Sequence, residues 1–463
     1  MKKILLSLAL ILPAWTVFAQ EECGPFEFPS YNVEDTAAAN AWGTDIFELS
    51  QSYPAEVPEE KYPWDGVDFR RKPEQFMSKV LDYCWEGMND ANFVAQSNAV
   101  RVWYHAPWLD YGFTGREYLR GLRMDRTSAP DDLSPSQNTD IRNYSISYYN
   151  GAAAYTLGQV WCDPKNPEAA KANFPLGSVI FKMIFTLADT GDVAWLDGAL
   201  EWDAYAQEAT SVPLDEKEIR KVRLIEVDYM VKSDASDAVN GWIFGSHVYD
   251  GRADGGTVKD KLVPVGLQWG NDPGITPAEV RDGEQALEQT WLNTKAWVQD
   301  DLANSAVQKT GYGYRLQGVV GNHSTSLMAE AATASWPPMP PFPPSGITGD
   351  SIMHWHRNLP SGTPFDTTRT SLDYSLELRD GLRNWTIATK NDSIMKADYR
   401  QELGELLAFQ PPVKVDIGDD DEEEVIEYDE GLKGRNLFVF IGGILLVVVM
   451  LVLLVMNFLK KDD

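Results

Sequence analysis

The sequence predicts an α+β protein: a β-rich ectodomain, sandwich- or barrel-like, with peripheral helices and one C-terminal transmembrane helix. Three observations carry that expectation. Leu437–Leu459 is a run of 23 residues whose one polar side chain is Asn457. As a helix it would extend roughly 35 Å, enough to cross a hydrocarbon core of about 30 Å. The N-terminus reads as an export signal, with Lys2 and Lys3, the apolar run Ile4–Leu12, and a small-residue site ending at Ala19. Between these ends, five β-branched or aromatic runs bounded by turn clusters fall within residues 155–269.

Those features divide the chain. Residues 1–19 are expected to be a signal peptide, 20–410 a periplasmic ectodomain, 411–436 an acidic linker, 437–459 the membrane helix and 460–463 a cytoplasmic tail. The residue before Cys23 is Glu22, where lipid attachment needs a small residue, so a lipoprotein is not expected. Lys460 and Lys461 agree with a positive inside, although Lys433 and Arg435 on the other side weaken the asymmetry. The short two-lysine leader points to a bacterium, and hence to an inner-membrane tether with the large domain in the periplasm.

The formal net charge is −29, from 69 acidic and 40 basic residues. Ten of the acids lie in Asp416–Glu430, a like-charge block expected to stay extended and hydrated. Such a surface repels a phosphate backbone, so no nucleic-acid partner is expected. The chain has three cysteines, Cys23, Cys84 and Cys162. In an oxidising compartment two can pair. Cys23 with Cys84 would tie the N-terminal arm to the first helix, but sequence does not choose the pair.

Along the ectodomain, 20–72 is expected to be an irregular arm lying over the fold. Pro73–Met88 predicts a helix, with Phe76, Val80, Cys84 and Met88 on one face. A β-rich core follows over about 100–275, with strands at Tyr155–Trp161, Ser178–Thr186, Arg223–Val231, Gly241–Tyr249 and Leu262–Trp269. Arg223–Val231 alternates only partly, which suggests burial on both faces. The remainder, about 277–410, is expected to be helical and Pro-rich. Its helices are placed at Pro277–Ala303, Leu372–Trp385 and Lys396–Leu407, with a polyproline connector at Trp336–Pro344.

Several short phrases occur in order over about residues 100–385: Trp103-Tyr104-His105-Ala106-Pro107-Trp108, Gly115-Arg116-Glu117, Asp125-Arg126-Thr127-Ser128, Phe174-Pro175-Leu176-Gly177, Trp269-Gly270-Asn271-Asp272-Pro273 and Leu372-Asp373-Tyr374-Ser375-Leu376. Together they resemble a family of bacterial exported proteins related to c-type cytochromes. The resemblance implies a Cys-x-x-Cys-His haem attachment after the stretch Tyr314–Gly318. Here the corresponding place reads Ser326-Leu327-Met328-Ala329-Glu330. Thioether attachment needs both sulfurs and the histidine is the iron ligand, so covalent haem is excluded. The resemblance then implies a haem-free accessory or scaffold protein beside a membrane complex, respiratory or electron-transferring in kind.

Other residues suggest chemistry of their own. His354-Trp355-His356 would put two imidazoles on one face of a strand, a spacing used for divalent metals, with His105 or His247 as a third ligand. A periplasmic metal-dependent hydrolase built on His354 and His356 is therefore an alternative. His105 with Asp110 could act as a base and its orienter. Arg116, Arg120, Arg123 and Arg126 have the spacing of a helical ladder that could hold a carboxylate or phosphate. Exposed aromatics could form a sugar platform. These last features support a further alternative, a ligand-binding module.

Overall fold

The computed structural model describes residues 23–29, 46–110, 115–207, 217–234, 238–293, 311–339, 349–390, 392 and 395–396. The signal segment, the acidic linker, Leu437–Leu459 and nearly all of Lys396–Leu407 lie outside them. No helix among the described residues is long and apolar enough to cross a membrane.

The fold is β-rich and antiparallel, with few helices. Its main sheet has eight strands. They are β1 (Arg123–Met124), β2 (Asn143–Tyr149), β3 (Val179–Thr186), β4 (Glu201–Ala206), β5 (Glu218–Lys232), β6 (Trp242–Tyr249), β7 (Leu262–Gln268) and β8 (Thr290–Leu292). The order is β1-β2-β3-β5-β6-β7-β8, with β4 pairing the first half of β5. Among the described residues no pairing joins β1 to β8, so the path stays open. A small second sheet pairs β9 (Ser335–Trp336) with β10 (Thr370–Ser371).

β5 organises the sheet because it is long and buried on both faces. Val227, Tyr229 and Val231 point one way, and Glu226, Asp228 and Met230 the other, all nearly closed to solvent except Asp228. This explains the partial alternation of its sequence. On the first face, Phe181 of β3 meets Trp103, which in turn meets Tyr83 of helix α1 (Pro73–Trp85), edge to face in both contacts. Burying such aromatic faces supplies much of the stabilisation, about 25 cal/mol per Å² removed from water.

Four further α-helices occur among the described residues: α2 (Gly151–Val160), α3 (Pro277–Arg281), α4 (Leu327–Ala331) and α5 (Leu376–Lys390). Two expectations need correction here. Tyr155–Trp161 is not a strand but lies mostly in α2. Asn150 caps that helix through Ala153 N–H, and the run Ala152–Ala154 has high helix propensity. The helix expected over Pro277–Ala303 stops at Arg281. A capping box between Thr276 and Glu279 starts it, the positive φ of 73° at Gly283 turns the chain away, and Thr290–Leu292 joins β7 as a strand. Residues 294–303 lie outside the described set.

α5 begins four residues later than expected. Asp373 and Tyr374 take positive φ of 47° and 72°, and the Ser375 hydroxyl accepts from Leu378 N–H. The disulfide joins Cys23 to Cys162, whereas Cys84 is a buried thiol in α1. Thus the arm is tied to the end of α2, not to α1. The arm also packs Phe28, Leu49 and Tyr53 against α2, and the Tyr53 hydroxyl donates to the His105 carbonyl at 2.6 Å.

Candidate functional site

The second face of the sheet is not filled by side chains alone. Between β2, β3, β5 and β6 below and the segments 317–331 and 374–383 above lies a cavity of about 310 Å³. Antiparallel register stacks its floor in rows. Ser147, Lys182 and Asp228 form one row, Ser145, Ile184 and Glu226 the next, and Tyr149, Ile180, Met230 and Phe244 a third. The third row and the overlying Leu327, Ala331, Tyr374 and Leu376 give one apolar end. The first two rows give a polar end.

The polar end is held by ionic contacts. Lys182 donates to Asp125 at 2.5 Å and keeps 34 % of its side chain exposed. Burial works against the Lys182 ammonium, but Asp125 first and then Asp228 outweigh it and keep the amine charged. Burial likewise disfavours the Asp125 carboxylate, yet Lys182, the Ser145 hydroxyl and Arg126 N–H bring its pKa down to about 2. Glu226 and Asp228, two residues apart on β5, share a site. Burial first, and then the charge of Asp228, pushes the Glu226 pKa well above the carboxylate range. Glu226 is therefore held toward its neutral form beside Asp228, and its Oε2 accepts from Val320 N–H at 2.9 Å. Any Cβ at residue 318 would fall on the Glu226 carboxyl, so the covering loop has Gly318 there.

The rim toward α5 is a second cluster. Asp380 accepts from Arg123 at 3.1 Å, Arg379 at 2.9 Å and Arg383 at 2.9 Å. These cations outweigh the desolvation of Asp380 and hold its pKa far below the usual range. The Tyr149 hydroxyl donates to Glu377 at 2.9 Å. Burial, reinforced by Glu377, keeps that phenol protonated.

The residues singled out from sequence are distributed differently. His354 and His356 fall in and just after a 3-10 turn, Gly349–Trp355, not in a strand, so the argument for a shared face is lost. His354 is exposed and packs edge-on against Trp355 and Phe365. His356 is buried against the Tyr312 ring, with Nδ1 3.2 Å from the Ile352 carbonyl, and burial lowers its pKa to about 4. No group of three His, Cys, Asp or Glu suited to a metal occurs among the described residues.

The pairing of His105 with Asp110 is also corrected. Asp110 pairs with Arg116 at 3.3 Å, and His105 Nδ1 faces the Ser147 carbonyl at 3.1 Å. Burial and then Arg116 lower the His105 pKa to about 3. The arginines form no helical ladder, because β1 and turns occupy that stretch. Arg116 is spent on Asp110 and the Ala106 carbonyl, and Arg120 lies over Trp202. Arg123 and Arg126 do reach one place, the cavity. Met328, aligned above with the haem-attachment position, is fully buried and accepts from Asn240.

Sequence reasoning missed Glu226, Asp228, Lys182 and Asp125. The signal for the first two was present: two carboxylates at i and i+2 inside a strand already read as buried on both faces. Comparison with known proteins adds nothing to this site, since no protein-family model, curated protein or solved structure matches the chain.

Proposed function

We propose that this chain is an exported, membrane-tethered accessory protein whose outside domain binds a small ligand in the sheet cavity. The cavity is the observation that carries the reading. Its volume of about 310 Å³ lies at the small end of the roughly 300–1,000 Å³ typical of ligand sites. It combines an apolar end with convergent polar groups and a carboxylic acid that burial keeps neutral, a combination that marks functional sites more often than plain core. The Cys23–Cys162 disulfide supports an oxidising compartment, in line with the leader and the apolar C-terminal run. The resemblance to cytochrome-related proteins supports a place beside a membrane complex, with no haem held covalently.

A thermal-shift screen of the full chain in mild detergent tests the binding. Sugars, organic acids, amines and amino acids are the probes. A true ligand at a hundred times its dissociation constant adds about 2.7 kcal/mol of stability. Ala331→Trp, which fills the cavity from α4, should abolish that shift while the variant still melts cooperatively. A screen without any shift, or a shift that survives Ala331→Trp, overturns the reading.

A further inference from the structure

Most charges facing the cavity already have partners: Lys182 with Asp125, Asp228 with Glu226, Glu377 with Tyr149, and Asp380 with its arginines. Two do not. Arg126, just after β1, lines the cavity half-exposed, and its guanidinium has no ion pair or side-chain hydrogen bond among the described residues. Glu330, in α4, lines it from the cover, and its carboxylate is likewise without a partner among them. They stand on different walls, with the apolar row of Ile180, Met230 and Phe244 on the floor.

The two unpartnered groups are of opposite sign and both line the cavity. A ligand bearing both signs satisfies both unpartnered groups, and an apolar side chain satisfies the floor. We infer that the ligand is a small zwitterion with an apolar side chain, an α-amino acid. Its carboxylate is received by Arg126, whose planar fork suits two oxygens. Its ammonium is received by Glu330. This assignment rests on the cavity being a binding site, and it adds the ligand class.

Calorimetric titration of the full chain with four isosteric probes tests it: L-leucine, 3-methylbutylamine (no carboxylate), 4-methylpentanoate (no ammonium) and 4-methylpentanol (no charge). Leucine should bind at least about tenfold more tightly than any of the other three, the worth of one charge-assisted contact. Arg126→Gln should bring leucine down to the amine's affinity and leave the amine unchanged. Glu330→Gln should do the same with respect to the acid. Both positions are half-exposed, so neither change should disturb folding. A variant that weakens all four probes equally would show a structural role and overturn the assignment. Binding of the alcohol or of one ion as tight as leucine's would also overturn it, with the cavity reading intact. Absence of binding by all four would overturn the assignment, and the broader thermal-shift screen then decides the cavity reading separately.

Discussion

At the scale of single residues, Asn150 is the clearest case of one side chain holding several parts together. Its carboxamide oxygen accepts from Ala153 N–H at 3.0 Å and Val179 N–H at 2.9 Å. Its nitrogen donates to the Tyr83 hydroxyl at 3.1 Å and the Gly177 carbonyl at 2.9 Å. It thus caps α2, starts β3 and reaches α1 while fully buried. Asn150→Ala strands these groups away from water and should cost about 2–3 kcal/mol, read as a lower denaturation midpoint at unchanged slope.

Glu226 makes a prediction about pH. Its folded pKa is raised, so the folded state keeps a proton that the unfolded chain releases above about 4.5. Stability attached to this group is therefore complete at low pH and declines as pH rises from that value. Asp125 works in the opposite direction: its pKa of about 2 gives stability above the ordinary aspartate range that is lost on acidification. Glu226→Gln keeps the neutral donor and removes the titration. Its melting temperature should draw level with or below the wild type near pH 4, and gain on it as pH rises above the ordinary glutamate range. Parallel pH profiles for the two proteins would refute the shared proton.

At the scale of elements, the strands β3, β5, β6 and β7 were legible because each is a run of β-branched and aromatic residues between turns, and α1 because its apolar residues recur every fourth position. β2 was not legible. Its sequence NYSISYY carries Ser145, Ser147 and Tyr149 toward the cavity and Tyr144, Ile146 and Tyr148 toward the core, so polarity does not report burial. α2 misled for the opposite reason: Tyr155, Thr156 and Val160 look like strand residues, but an Asn cap and three alanines decide the conformation. The cavity was half-visible, as acids in an apolar strand. Its cover could not be read, since 317–331 and 374–383 meet β5 only through distant contacts. Gly318 shows how close that meeting is. Gly318→Ala should push the covering loop off Glu226, costing about 1–3 kcal/mol and weakening any ligand in the cavity.

For the whole molecule, the disulfide and the proposed topology make separate demands. Cys23 and Cys162 are 139 residues apart in sequence, and reduction of a bridge closing so long a loop should remove about 2–4 kcal/mol. Alkylation of the unfolded, unreduced chain should label Cys84 alone. Labelling of Cys23 or Cys162 there would contradict the pairing. Protease added to intact spheroplasts should remove the ectodomain and leave a short membrane fragment, whereas full protection would overturn the proposed orientation.

The cavity lies between an eight-stranded sheet and a cover whose helices, among the described residues, are α4 and α5. Whatever occupies it touches both layers and acts as a latch between them. Occupancy should therefore slow amide hydrogen exchange chiefly in residues 311–336, where short helices and turns open by local unfolding, and leave the central strands unchanged. Ligand capture would then be readable as a stiffening of one layer, with β5 as the fixed reference against which it is measured.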